Sequence, residues 1–135
     1  MEKKGKFAVI AFSLIILNLS CSSNDLELSQ DYPLEIINSW VESYEEDYGI
    51  YRPMDYKKFP ESPYRQYYRF MENNACQYLM LSPVDAHYLE NGFWEYIEEK
   101  KGIAIYDKNM ELNRMLKVVS ITSDFLQIEK ASPNK

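Results

Sequence analysis

Apolar positions change their spacing along this chain. Residues 7–17, FAVIAFSLIIL, form one apolar run interrupted only by Ser13. From Leu34 onward the apolar residues fall instead in short stretches, several with the period-two alternation of a half-buried strand. YRQYYRFM (64–71) sets Tyr68 and Phe70 on one face and Tyr67 and Arg69 on the other. The following ENNA offers turn chemistry, because Asn tolerates a left-handed backbone, and Cys76–Leu81 continues as the partner strand. FWEYIE (93–98) and IAIYD (103–107) flank EKKG, where Gly102 suits the positive φ of a short hairpin. Trp94 and Tyr96 share a face, as do Ile103 and Ile105. Ile36–Tyr48 reads as a long first strand with Trp40 early in it. Over 110–119 a helix would line up Met110, Arg114 and Lys117, but the β-branched Val118, Val119 and Ile121 favour a strand from Leu112 to Ile121. TSD is a tight break, and FLQIE ends the series.

About seven strands in series, joined by short even-numbered connections, make an antiparallel meander. A sheet with one apolar face and no helices must close or stack to cover that face. The expected fold is therefore all-β, a small antiparallel up-and-down barrel of seven to eight strands. If there is an eighth, it falls within 49–62. The connections are unequal: Gly49–Pro63 and Ser82–Gly92 are long, whereas ENNA, EKKG and TSD are short. In a meander the two long connections fall at one end, which predicts a mouth lidded by residues 49–63 and flanked by 82–92. Loops of that length are uncommon unless they carry function or are disordered.

Charge divides the chain differently. Lys3, Lys4 and Lys6 stand before the apolar run, whereas residues 21–135 carry twelve Lys or Arg against twenty Asp or Glu. An acidic body repels phosphate backbones, and no basic stripe or P-loop offsets this, so no nucleic acid partner is expected. A cationic start followed by Phe7–Leu19 has the layout of a secretory signal; as a helix it would span about 20 Å, against about 30 Å for a bilayer core. Leu17, Asn18, Leu19, Ser20 and Cys21 resemble the lipobox of bacterial lipoproteins, with Asn18 and Leu19 departing from the usual residue types. The resemblance implies a signal peptide over 1–20, removed to leave Cys21 as the lipid-bearing first residue. Palmitate-type acylation there would hold the protein to a membrane. Ser22 resembles members sent to the outer membrane, and Asp25 with Glu27 faintly resembles tags for the cell surface. With Cys21 acylated only Cys76 remains, so no internal disulfide forms, and Cys76 reads as a small apolar filler. Residues 21–34 are polar, end beyond Pro33, and suit a tether; the barrel domain is expected over 35–130.

Trp40 near the start of the first strand, the YRF…NNACQY hairpin and Gly92-Phe93-Trp94 resemble small lipocalin-like bacterial lipoproteins, with Asn38 where those have Gly. The resemblance implies an eight-stranded barrel, closed by the Trp at the end where the chain enters and open at the other.

Candidate chemistry is sparse. SPVDAH places Ser82, Asp85 and His87 within one loop, too close together for a nucleophilic triad to converge. His87 is the sole histidine, and with Asp85 or Glu90 it makes a poor metal set. Glu42, Glu45, Glu46 and Asp47 in VESYEEDY read as a solvated rim, with Glu45 and Glu46 on opposite faces of a strand. No enzymatic activity, metal or cofactor is expected. The tyrosines carry the remaining signal. Tyr44, Tyr68 and Tyr96 are expected to line the barrel, and Tyr51, Arg52 and His87 to sit at the mouth, with Tyr48, Tyr56 and Tyr88 beside it. Rings with a hydroxyl tip suit a small apolar or amphipathic ligand at the mouth. The alternative is a filled barrel whose tyrosine-rich loops bind a protein or glycan.

Overall fold

A computed structural model describes residues 31–81, 84 and 87–129. The signal segment, Cys21 and the start of the tether, with Ser82 and Asp85, lie outside the described residues. Eight strands are present: β1 Ser39–Glu42, β2 Ile50–Pro53, β3 Tyr67–Phe70, β4 Ala75–Leu81, β5 His87–Ile97, β6 Gly102–Tyr106, β7 Leu112–Thr122 and β8 Phe125–Ile128. All neighbouring pairs are antiparallel, and they close into a barrel ordered β1-β2-β8-β7-β6-β5-β4-β3. The all-β antiparallel barrel expected from the alternation is thus the fold, and the eighth strand is the one suspected within 49–62.

The order departs from consecutive neighbours at one place. β1 lies between β2 and β3 and is antiparallel to both, so β2 and β3 run the same way. Their connection, residues 54–66, must therefore climb the barrel from one end to the other. It does so alongside β1. Met54 N–H bonds Ser39 O (2.9 Å) at one end of the strand, and Glu42 N–H bonds Gln66 O (2.9 Å) at the other. With this crossover beside it, outward-facing Val41 is only 8% exposed.

The expected first strand is shorter than the sequence suggested. Pro33 leads into a 3-10 turn, Leu34–Ile36, and the chain turns again after Glu42. Gly49 (φ +78°) then reverses it into β2. Gly102 opens β6, and the left-handed residue of that hairpin is Lys101 (φ 47°), after the 3-10 turn Glu98–Lys100. Asn74 (φ 62°) takes the left-handed position in the ENNA turn, as the sequence indicated. The connection between β4 and β5 is 82–86, because 87–92 belong to β5.

The interior is filled by rings. Trp40, Trp94, Tyr78, Phe70, Ile36, Ile103, Ile105 and Leu126 are each at most 2% exposed. Centroid separations link Tyr32 to Trp94 (5.0 Å), Trp94 to Phe70 (5.4 Å), Phe70 to Tyr68 (5.9 Å) and Tyr68 to Tyr51 (5.6 Å). These spacings are the favourable range for aromatic pairs, so the rings form a continuous column. Both indole N–H groups are satisfied by carbonyls, Trp40 on Ile36 O (3.1 Å) and Trp94 on Met71 O (2.9 Å). The first of these bonds holds the 3-10 turn, with fully buried Ile36, under the barrel.

Two ends follow from this arrangement. The entry end receives residues 31–38 and carries the turns 71–74, 98–101 and 123–124. The far end carries 43–49, the end of β4 and the start of β5, 107–111 and the top of the crossover. Residues 49–63 therefore do not form a lid at one end: they start at the far end, descend as β2 and climb back.

Gly92 marks a close approach. A Cβ there would collide with Tyr106 O and press on Tyr78 Cε1 at 3.1 Å, in a strand that must pass β6 while Tyr78 fills the interior. Gly92→Ala is expected to cost about 1–3 kcal/mol, the range for overpacking, and to lower the melting temperature by at least several degrees. Thermal unfolding followed by tyrosine and tryptophan fluorescence measures this directly.

Candidate functional site

The far end differs from the entry end in how its polar groups are satisfied. Buried polar groups in native proteins are almost always hydrogen-bonded. Four buried side-chain atoms have no hydrogen bond among the described residues: Arg65 Nε, Gln66 Oε1, Tyr78 Oη and His87 Nδ1. Arg65, Gln66 and His87 stand at the far end, and Tyr78 lies in the adjoining part of the interior, paired with Tyr68 and Glu90. The exposed tyrosines gather there too. Tyr44, Tyr48, Tyr64 and Tyr88 are each roughly half exposed or more, as are Val84 and Leu89, while Tyr56 sits on the crossover.

The rim is held by ion pairs. Arg65 reaches from the top of the crossover to Glu45, and also donates to Glu42 O (2.6 Å) and Pro60 O (3.0 Å). Its guanidinium lies 4.5 Å from the centre of the Tyr44 ring. Arg52 grips Glu46 through two bonds (2.7 and 2.9 Å), donates to Asp124 O (3.0 Å) and covers Tyr56 at 4.4 Å. Lys57 bonds Ser43 Oγ at 2.7 Å. Glu45 and Glu46 are thus turn residues, each committed to an arginine, and not the two faces of a strand. Hydrogen bonding from Arg65 lowers the Glu45 carboxyl to about 2. Hydrogen bonds from Arg52 and then Ser43 do the same for Glu46, also to about 2.

Inside the far end the floor is aromatic. Tyr51 (7% exposed) and Tyr68 (3% exposed) meet with their planes tilted by 46°. The Tyr68 hydroxyl accepts bonds from Gln66 Nε2 and Arg114 Nη1, both at 3.1 Å. Arg114 also donates to Met80 Sδ (3.3 Å) and Asn113 Oδ1 (2.8 Å), and lies 5.1 Å from the Tyr78 ring centre. Burial pushes the Tyr51 phenol well above its usual value, with a further rise from Tyr68 and Glu42. Burial likewise pushes the Cys76 thiol up to about 11, so it stays protonated and inert, in keeping with a packing role.

The sequence-predicted residues divide. Tyr51 and Tyr68 come together inside. Arg52 follows Tyr51 in β2 and so faces outward into the ion pairs. Tyr44 does not line the barrel; it lies in the 43–49 turn and is 46% exposed, because β1 ends at Glu42. Tyr96 packs on the core at the entry end, where it lines a surface groove of about 430 Å³ with Tyr32, Pro33, Glu98 and Lys101. It is therefore remote from Tyr51. His87 begins β5, with its ring 5.7 Å from that of Tyr64. Sequence reasoning missed Arg114. Its signal was present, since Arg114, Leu116 and Val118 share one alternating face of β7.

A cavity of about 140 Å³ opens beside Tyr51 and Tyr68, lined also by Glu42, Tyr48, Gly49, Met115, Leu116, Ile128 and Glu129. The larger concavities lie on the outside: about 540 Å³ along Ile37–Ser39 and Arg69–Asn73, and about 320 Å³ over Met71, Ala75, Gly92 and Phe93. No group of His, Cys, Asp and Glu among the described residues is arranged to hold a metal ion.

The rim ion pairs give a pH signature. Both carboxyls ionise at lower pH folded than unfolded, so their contribution is complete above about 4.5, the ordinary value, and is lost as pH falls towards 2. Hydrogen exchange should show residues 43–66 loosening across that window before the aromatic column gives way. Glu45→Gln should reproduce the loosening at neutral pH near Arg65 while leaving the Arg52 contacts intact.

No family model matches the chain, and neither a curated protein nor a solved structure matches it.

Proposed function

We propose that this protein is a membrane-tethered recognition module, without catalytic activity, whose far-end rim binds a protein partner. The observation that carries the reading is the contrast between a filled interior and an unfinished rim. Trp40, Trp94, Tyr78 and Phe70 occupy the space in which a lipocalin-like barrel would hold a ligand. The far-end cavity, about 140 Å³, is below the roughly 300–1,000 Å³ of ordinary small-molecule pockets. An apolar or amphipathic ligand at a mouth between 49–63 and 82–92 is therefore the weaker reading. Exposed tyrosines stacked against arginines, as at Tyr44 with Arg65 and Tyr56 with Arg52, are the residue types enriched at protein interfaces.

The anchor part of the proposal rests on the lipobox-like residues ending at Cys21. Residues 31–38 enter the barrel opposite the rim, so an acyl group at Cys21 would turn the rim away from the outer membrane that holds it. Asp31 lies ten positions after Cys21, a reach of at most about 35 Å. The partner must come within that leash.

Two measurements test the reading. Labelled palmitate should enter the wild type and be absent from Cys21→Ala; equal labelling of both would refute the anchor. A photo-crosslinking residue placed at Tyr64 or Tyr88 in living cells should give discrete protein adducts that the same residue at Phe93, on the barrel's side, does not. Identical patterns from rim and side, or a small molecule retained in native mass spectra of the purified full chain, would overturn the interface.

A further inference from the structure

We propose that the far-end cavity is a receptor for an alkylammonium group, supplied either by a lysine side chain of the partner or by a free small amine. This deepens the reading of the far end as a recognition surface, and rests on it. The cavity lies within that end and its wall is of one electrical character. Tyr48, Tyr51 and Tyr68 contribute aromatic rings, and Glu42 and Glu129 contribute carboxylates; neither Lys nor Arg lines it. Ring faces and carboxylates both attract cations, and cages of aromatic rings are a recurrent way to hold ammonium ions.

Three details sharpen the assignment. Tyr51 is more than nine-tenths buried and borders the cavity. A phenolic oxygen in that position can accept one ammonium N–H. Glu42 has no salt bridge among the described residues: Gln66 N–H bonds one carboxylate oxygen (3.0 Å), while Arg65 contacts only its backbone carbonyl. Glu129 is paired with Lys117 at 2.7 Å on the exposed side, so the second carboxylate is partly neutralised and Glu42 carries the main attraction. Arg114 donates to the Tyr68 hydroxyl and lies 5.8 Å from the centre of that ring, but it does not line the cavity. It keeps that phenol from serving as an acceptor for the guest and leaves the role to Tyr51.

Size limits the guest. At about 30 Å³ per water, 140 Å³ holds about five water-sized atoms. That suits the butylammonium end of lysine, with its methylenes against Met115, Leu116 and Ile128. The acidic body, twenty carboxylates against twelve cationic side chains beyond residue 20, adds long-range attraction for such a group.

The test uses the full chain in detergent, titrated with three isosteric probes, n-butylammonium, n-butanol and n-butyrate, and followed by backbone amide NMR. Butylammonium is expected to give a saturable shift centred on Tyr51 and Tyr68, with Kd in the millimolar range and about tenfold tighter than butanol; butyrate should give none. Glu42→Gln keeps an acceptor for Gln66 N–H and removes only the charge, so it should weaken butylammonium about tenfold with the spectrum otherwise preserved. No saturation below about 50 mM, equal response to the three probes, or an unchanged Kd in Glu42→Gln would each overturn the proposal. An acetylated, amidated tripeptide with central lysine distinguishes the sources: equal or tighter binding than butylammonium assigns the guest to a partner's lysine, and exclusion of the peptide assigns it to a free amine. Rim crosslinks that persist in a chain failing these titrations would isolate the fault to the cavity and leave the interface standing.

Discussion

The column of rings inside the barrel is the constraint on which the rest of the molecule depends. Strands as short as Ser39–Glu42 and Phe125–Ile128 offer few ladder hydrogen bonds, so apolar burial must hold the cylinder closed. Tyr32, Trp94, Phe70, Tyr68 and Tyr51 supply it as one chain of contacts, drawn from the entry segment and from β5, β3 and β2. These elements are distant in sequence, so the column also fixes which strands meet. Filling a barrel of eight strands with side chains is within its geometry. The consequence is that the interior is occupied by the protein's own side chains.

Placing β1 between β2 and β3 adds a second constraint. The chain must return along the barrel through residues 54–66, and a long connection with little regular structure needs anchors. Arg65, Lys57 and Arg52 provide them through Glu45, Ser43 and Glu46. An exposed ion pair contributes little by itself. Here several converge on one turn, and the same contacts lay guanidinium groups against Tyr44 and Tyr56. The rim is shaped by the anchoring of the crossover.

Much of this was legible in the sequence, and the failures have identifiable causes. Alternation in 64–71 placed Tyr68 and Phe70 inside because one face of β3 is packed and the other is not. Alternation could not show that the first strand stops at Glu42, since VESYEEDY mixes apolar and charged residues without a clear period. The stop is made by tertiary contacts, with Ser43 N–H on Ile50 O and Arg65 on Glu45. The same limit hid β2: IYRP is four residues long and ends in a proline, a weak signal that only its pairing with β1 and β8 makes a strand. Assuming a strict meander then turned 49–63 into a lid, whereas a crossover along β1 satisfies the same sequence. Of the candidate site, Tyr51 with Tyr68 follows from closing the barrel, but Glu42, Glu129 and Met115 reach that cavity from three separate segments, and no local pattern announces them.

The two ends of the barrel also differ in how completely their polar groups are satisfied. At the entry end each indole N–H has its carbonyl, and Ile36 seals the base. At the far end Arg65 Nε, Gln66 Oε1 and His87 Nδ1 lie buried without hydrogen bonds among the described residues. A buried polar group left without any hydrogen bond costs about 1–3 kcal/mol. A fold with a complete aromatic column can sustain that cost, because the column closes the barrel without help from the rim. On the proposed reading, a partner that meets side chains already held by such a frame need not reorder the chain, which reduces the entropic penalty of association. On the proposed reading, the packing that fills the interior is also what supports the surface on which a partner would dock.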